Sequence, residues 1–111
     1  MKTLRPASEL RSRNPRLGRC YELAGEYVCM HQDAVLVHGT IQGFGYPPNP
    51  HAWVVLPDGQ VHDPVADIVL SADAHASMFN ATEQVRYTYE QMARHAFVTR
   101  HWGPWHEQER T

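Results

Sequence analysis

Residues 51–65 read His-Ala-Trp-Val-Val-Leu-Pro-Asp-Gly-Gln-Val-His-Asp-Pro-Val, and this stretch predicts a β-hairpin. Two runs rich in β-branched and aromatic residues flank the turn Pro57-Asp58-Gly59. Pro at the first central position of a type I turn, then Asp, then Gly in the left-handed conformation, form a three-residue loop with a bulge. In that register Leu56 pairs with Gln60, which fixes the alignment of both strands.

This register decides which side chains share a face of the sheet. With Leu56 opposite Gln60, Trp53 lies opposite Asp63, and His51 lies diagonally from Asp63 on the same face, about 7–8 Å away between Cα atoms. A two-residue Asp-Gly turn would shift the pairing by one residue and turn Asp63 away from Trp53. In the bulged register, the Asp63 carboxylate can fix the tautomer of the His51 imidazole and stabilise its charged form.

Periodicity and capping residues predict the other elements. Apolar residues recur every three or four positions and predict a helix over Cys20–His31, followed by a strand over residues 34–41. The Gly- and Pro-rich segment Gln42–Pro50 is predicted to be a loop. After the hairpin, Ser71 can cap a short helix that reaches about Phe79. The alternation of Val85, Tyr87 and Tyr89 then predicts a strand. A last helix is predicted over Tyr89–His101, with a capping box formed by Thr88 and Gln91.

Length and composition indicate one folded domain preceded by a basic arm. The chain has 111 residues, 42% of them apolar and 20% charged, which excludes a disordered chain, a collagen and a coiled coil. Residues 1–19 carry a net charge of +5 and the remainder −7. We therefore expect a basic arm over residues 1–17 and a single α+β domain over residues 18–111. In that domain a Cys-bearing helix packs on a small, mainly antiparallel sheet, with one or two helices after residue 70.

The same composition bears on partners and location. No run approaches the roughly 20 apolar residues of a membrane span, and the N-terminus lacks the apolar stretch of a signal peptide. We expect a soluble, cytoplasmic protein with no membrane partner. The basic arm lacks aromatic interleaving and any nucleic-acid motif, so nucleic acid is not an expected partner either. The sequence does not indicate an oligomeric state.

Cys20 is the candidate nucleophile. A thiol in the first turn of a helix meets unpaired backbone N–H groups and the positive end of the macrodipole, which favour the thiolate. The same N–H groups can hold the oxyanion formed when a thiolate attacks a carbonyl. The alternative is that Cys20 is a small apolar residue of the core. Cys29 has no such context, and nine residues further along the helix it is roughly 13 Å from Cys20, too far for a disulfide.

A zinc site is a second interpretation of the titratable residues. Eight histidines are present, and His38, His51, His62 and Asp63 could gather around a metal. No HExxH, CxxC or His-x-His spacing supports this set, and His62 and Asp63 point to opposite faces of one strand. No metal and no cofactor is therefore expected.

Four short motifs follow one another in the order Gly18-Arg19-Cys20-Tyr21-Glu22-Leu23-Ala24, Leu36-Val37-His38-Gly39, His51-Ala52-Trp53-Val54-Val55 and Asp63-Pro64-Val65. Together, over about residues 18–65, they resemble the transglutaminase-like superfamily, whose core is papain-like. The resemblance implies that Cys20 is the nucleophile, His51 the general base and Asp63 the acid that orients His51.

The resemblance also implies a reaction class. Members act as cysteine peptidases, amidases, deamidases, transglutaminases and other acyltransferases, all through thiolate attack on an amide or ester carbonyl and an acyl-enzyme. A peptide, a protein or a small amide is then the expected substrate, and the fold alone does not choose among them. The alternative from another class is a catalytically inactive scaffold that acts as a protein-binding module.

Overall fold

The computed structural model describes residues 19–43, 45 and 47–105, and the predicted basic arm over residues 1–17 lies outside them. These residues form a small α+β domain, as predicted, and none of their helices is long and apolar enough to cross a membrane. In chain order the elements are α1 (Cys20–Met30), β1 (Val35–Ile41), β2 (Asn49–Val55), β3 (Val61–Asp63), β4 (Ile68–Leu70), α2 (Ala72–Phe79), β5 (Thr82–Tyr87) and α3 (Tyr89–Thr99).

The five strands form one antiparallel sheet in the order β4-β3-β2-β1-β5. The β2–β3 hairpin has the predicted register: Val55 pairs with Val61, and the Leu56 N–H donates to the Gln60 carbonyl at 2.8 Å. Gly59 has φ +87°, the left-handed conformation that the bulged turn requires. The alignment predicted from the Pro-Asp-Gly turn is confirmed.

The two faces of the sheet carry different helices. Helices α1 and α3 cover one face, where Ala24 and Val28 of α1 and Met92 of α3 pack on sheet residues such as Leu36 and Val54. The opposite face carries a smaller cluster, Val37, Trp53 and Val61, and there the His75 ring of α2 lies 5.1 Å from the Trp53 ring. The sheet therefore separates the large core from the α2 side.

Capping residues set the starts of the two later helices. Ser71 Oγ accepts a hydrogen bond from the Ala74 N–H at 3.1 Å, and Thr88 and Gln91 form the reciprocal capping box at the start of α3. Both caps are as predicted. The strand predicted through Tyr89 is wrong at its end, because the capping box stops β5 at Tyr87 and Tyr89 begins α3.

Other element ends differ from the prediction by a few residues. The predicted loop Gln42–Pro50 loses its last two residues to β2, since Asn49 and Pro50 pair with Ile41 and Thr40 of β1. Helix α3 ends at Thr99, ahead of the predicted His101, because Arg100 takes a left-handed conformation with φ +64°. The short strand β4 had no counterpart in the prediction.

Candidate active site

Cys20 is the first residue of α1, where its side chain is half-buried at the edge of the large core. Arg19 occupies the N-cap without a side-chain cap, so the first backbone N–H groups of the helix are not capped by that side chain. The Arg19 guanidinium instead pairs with Glu22 at 2.8 Å in an exposed ion pair. The helix terminus, with its partial positive charge, thus lies directly at Cys20.

His51 lies near the start of β2, buried to 8% exposure, and its Nε2 donates to Asp63 Oδ2 at 2.8 Å. The opposite position on β1 is Gly39. A Cβ there would lie 2.8 Å from Cη2 of Trp53, so the absence of a side chain leaves room for the indole beside His51. The diagonal contact across the hairpin is the one that the predicted register requires.

Asp63 is the best-connected side chain of the site and is 1% exposed. Its Oδ2 accepts from Nε2 of His51 at 2.8 Å and from Nε2 of His75 at 3.3 Å. Its Oδ1 accepts from the backbone N–H groups of Val65 and Ala66 at 3.1 and 3.3 Å. These two bonds turn the chain and end β3 at Asp63, two residues before the predicted strand end at Val65.

The pKa values of His51 and Asp63 move in opposite directions. Burial acts to lower the pKa of His51, but hydrogen bonds to Asp63 and Cys20, with the electrostatic interactions between His51 and these groups, outweigh it and raise the pKa to about 9. Burial acts to raise the pKa of Asp63, but hydrogen bonds from His51 and His75 hold it well below its usual range. The pair therefore favours an imidazolium beside a carboxylate.

Cys20, His51 and Asp63 are thus in one continuous contact network. His51 interacts with Asp63 through Nε2 and also hydrogen bonds with Cys20. Because Asp63 occupies Nε2, Nδ1 is the ring nitrogen left to exchange a proton with the thiol. The structure brings together all three residues that the sequence analysis singled out, although they come from a helix and two strands.

His75 is the member of the network that the sequence analysis missed. It lies on α2, is 2% exposed, and its Nε2 is 3.3 Å from Asp63 Oδ2. Only the Ser71 cap indicated that a helix begins there, and nothing local to that helix indicates that it faces β3. The signal that could have found it is a histidine on a short helix directly after an Asp-containing hairpin.

Cys29 differs from Cys20 in both position and environment. It is exposed near the end of α1, and partial burial, together with the charge of Glu26, raises the pKa of its thiol. Both cysteines are free. Cys29 therefore serves as an internal reference for an unactivated thiol of the same helix.

The zinc set suggested by the sequence does not assemble. His38 pairs with Ala52 and His62 pairs with Val54, so both face the large core, whereas His51 and Asp63 face the α2 side. His38 lies among aromatic rings, 4.7 Å from that of Tyr21. Within residues 19–43, 45 and 47–105, no group of three or more His, Cys, Asp or Glu side chains is arranged to hold a metal ion.

Comparisons with known proteins give no match. No protein-family profile matches the chain, and no significant match was found among curated proteins or solved structures. Support for a function therefore comes from the geometry of the site and from the short sequence motifs.

Proposed function

We propose that this protein is a thiol-dependent hydrolase or acyltransferase that acts on an amide, isopeptide or ester carbonyl. The observation that carries the proposal is the contact network in which His51 binds Asp63 through Nε2 and also hydrogen bonds with Cys20. A nucleophile, a base in contact with it and a third group that orients the base are the requirements for nucleophilic catalysis.

The reaction begins with the proton of Cys20 on His51. The Cys20 thiolate attacks the substrate carbonyl carbon, a C–S bond forms, and the carbonyl oxygen becomes an oxyanion next to the N–H groups at the start of α1. His51 then donates its proton to the leaving amine or alcohol as the C–N or C–O bond breaks. The product of this half-reaction is a thioester on Cys20.

The second half-reaction resolves the thioester. Water or an amine approaches the thioester carbonyl, His51 accepts its proton, and the second tetrahedral intermediate expels the Cys20 thiolate. Water gives hydrolysis and an amine gives acyl transfer. Asp63 stays ionised throughout, since its role is to hold His51 in position and to stabilise the imidazolium.

The arrangement of elements supports a transglutaminase-like, papain-like domain. Cys20 begins a helix, and His51 and Asp63 lie on adjacent antiparallel strands in the chain order that the resemblance over residues 18–65 implies. Two free thiols fit a reducing compartment such as the cytoplasm. The proposed substrate is a peptide, a protein or a small amide.

The test uses alkylation by iodoacetamide at neutral pH, because this reaction reports on the nucleophile without a known substrate. In a Cys29→Ser background, Cys20 is expected to react about tenfold faster or more than Cys29 does in a Cys20→Ala background, since an ordinary thiol is only a few per cent thiolate at pH 7. His51→Ala is expected to remove most of that advantage.

The same variants are then compared for turnover on a panel of peptide amides and esters. The expected order of loss is Cys20→Ala, then His51→Ala, then the milder Asp63→Asn, with Cys29→Ser unchanged. Cys20→Ala abolishes covalent chemistry, whereas Asp63→Asn keeps a hydrogen-bonding group but allows the wrong His51 tautomer. A Cys20 that is labelled slowly, and only at alkaline pH, contradicts the proposal and favours the inactive binding scaffold.

A further inference from the structure

A second imidazole meets the Asp63 carboxylate. His75 lies on α2 at 2% exposure, and its Nε2 is 3.3 Å from Asp63 Oδ2, the same oxygen that His51 approaches at 2.8 Å. Its ring contacts the rings of Trp53 and Phe79, each 5.1 Å away between centroids. No sequence motif and no step of the proposed reaction accounts for this side chain.

We propose that His75 is a positioning residue that holds the Asp63 carboxylate in the orientation in which Oδ2 accepts from His51. This inference rests on the proposed function and extends it from three residues to four. His75 touches neither the thiol nor His51 in the proposed reaction, and its effect on Cys20 passes through Asp63.

The hydrogen bonds of Asp63 carry the argument. An ionised carboxylate only accepts hydrogen bonds, so both imidazoles that meet Oδ2 must present an N–H on Nε2. The backbone N–H groups of Val65 and Ala66 both bind Oδ1 of Asp63. These two bonds hold one carboxylate oxygen, so the carboxylate can still rotate unless Oδ2 is held as well. The Nε2–H of His75 limits this rotation and so keeps Nδ1 of His51 directed to the thiol.

The position of His75 is itself fixed by its helix. The His75 backbone N–H donates to the Ser71 carbonyl at 2.9 Å, and the Ser71 side chain caps the same turn. The contacts with the Trp53 and Phe79 rings restrict the imidazole further. A pocket of about 320 Å³ borders the His75 ring, with Trp53 and Ala76 also in its lining.

The test measures the iodoacetamide alkylation rate of Cys20 at neutral pH in the Cys29→Ser background. His75→Phe keeps the ring packing and removes the donor, and it is expected to slow alkylation about tenfold, the effect of losing one hydrogen bond to a charged group. His75→Gln can place an amide donor near the same point and is expected to restore most of the rate. Met78→Ala, on the exposed side of α2, is the matched control and leaves the rate unchanged.

A double-mutant cycle separates positioning from simple packing. If His75 acts through Asp63, His75→Phe has no further effect on the rate once Asp63→Asn is present. Nitrogen-15 NMR of the unsubstituted protein gives a second readout that needs no variant to fold, and it is expected to show the proton of His75 on Nε2.

The outcomes distinguish this inference from the proposed function. If Cys20 reacts fast and His51→Ala slows it, but folded His75→Phe reacts at the unsubstituted rate, His75 is not a positioning residue and the proposed function stands. Additive losses for His75→Phe and Asp63→Asn, or a His75 proton on Nδ1, also overturn it. A Cys20 that reacts like Cys29 and is insensitive to His51→Ala overturns both.

Discussion

Folding stability should depend on pH through His51 in a way that reveals its bond to Asp63. Cys20 and Asp63 both contribute to the raised pKa of His51, so the effect of Asp63 alone is seen only when Cys20 is absent. Cys20→Ala removes the Cys20 contribution and leaves the His51–Asp63 pair. The perturbation is therefore Asp63→Asn, compared with its parent in a Cys20→Ala, Cys29→Ser background.

The magnitude follows from the pKa of His51. With Cys20 and Asp63 both present the pKa rises from 6.5 to about 9, a change that corresponds to about 3 kcal/mol. Asp63 supplies the larger of the two hydrogen-bond contributions to this rise in pKa. In the Cys20→Ala protein, the bond between His51 and Asp63 should therefore still contribute about 1–3 kcal/mol to the free energy of unfolding. Because the folded pKa is raised, this stability is fully present below pH 6.5 and is lost as pH rises through the folded value.

Urea unfolding followed by tryptophan fluorescence, from about pH 5 to about pH 9.5, measures the effect as a fall in unfolding free energy on the alkaline side. The fall should vanish in Asp63→Asn, and because His75 contacts the same carboxylate as His51, the effect is assigned to His51 by its own ring signals. An NMR titration of the His51 ring checks the folded pKa directly. Equal alkaline slopes in the two proteins, or a His51 ring that titrates at 6.5 in the parent, would refute the reasoning.

Two glycine substitutions test the backbone that holds the site. Gly59→Val should lower the free energy of unfolding by about 1 kcal/mol or more, because a β-branched residue resists the φ of +87°. The strained turn should also shift Asp63 and slow Cys20 alkylation, whereas Gly59→Asn should cost less. Equal urea midpoints for both variants would contradict this. Gly39→Ala should cost about 1–3 kcal/mol because its Cβ would collide with the Thr82 carbonyl and the Trp53 ring, and an unchanged thermal midpoint would show that the strand can move aside.

The sequence predicted the parts of the site that local rules control. The Pro57-Asp58-Gly59 turn fixes the hairpin register by itself, and the register is enough to place His51 and Asp63 on one face. The Cys20 position at a helix start followed from apolar periodicity. In each case the deciding interaction lies within about a dozen residues, where turn geometry and side-chain period act directly.

Long-range packing determines the parts that were missed. His75 contacts Asp63 because α2 folds back over the sheet. The residues next to His75 in the sequence do not predict that contact. Strand β4 has only three residues, too few for a period to show. At Tyr89 two local rules conflicted, because alternation predicted a strand and the Thr88 capping box predicted a helix. The helix forms, since the capping box satisfies backbone N–H groups directly.

The close approach of Trp102 to Gly25 has a consequence for when the site forms. A Cβ at Gly25 would lie 2.8 Å from Cζ3 of Trp102, so the helix that begins with Cys20 rests on an indole from the last described residues. Bringing such distant parts of the chain together has a large entropic cost and is slow compared with forming a helix or a hairpin. The helix that begins with Cys20 therefore reaches its final position only after the segment around Trp102 has folded back onto it.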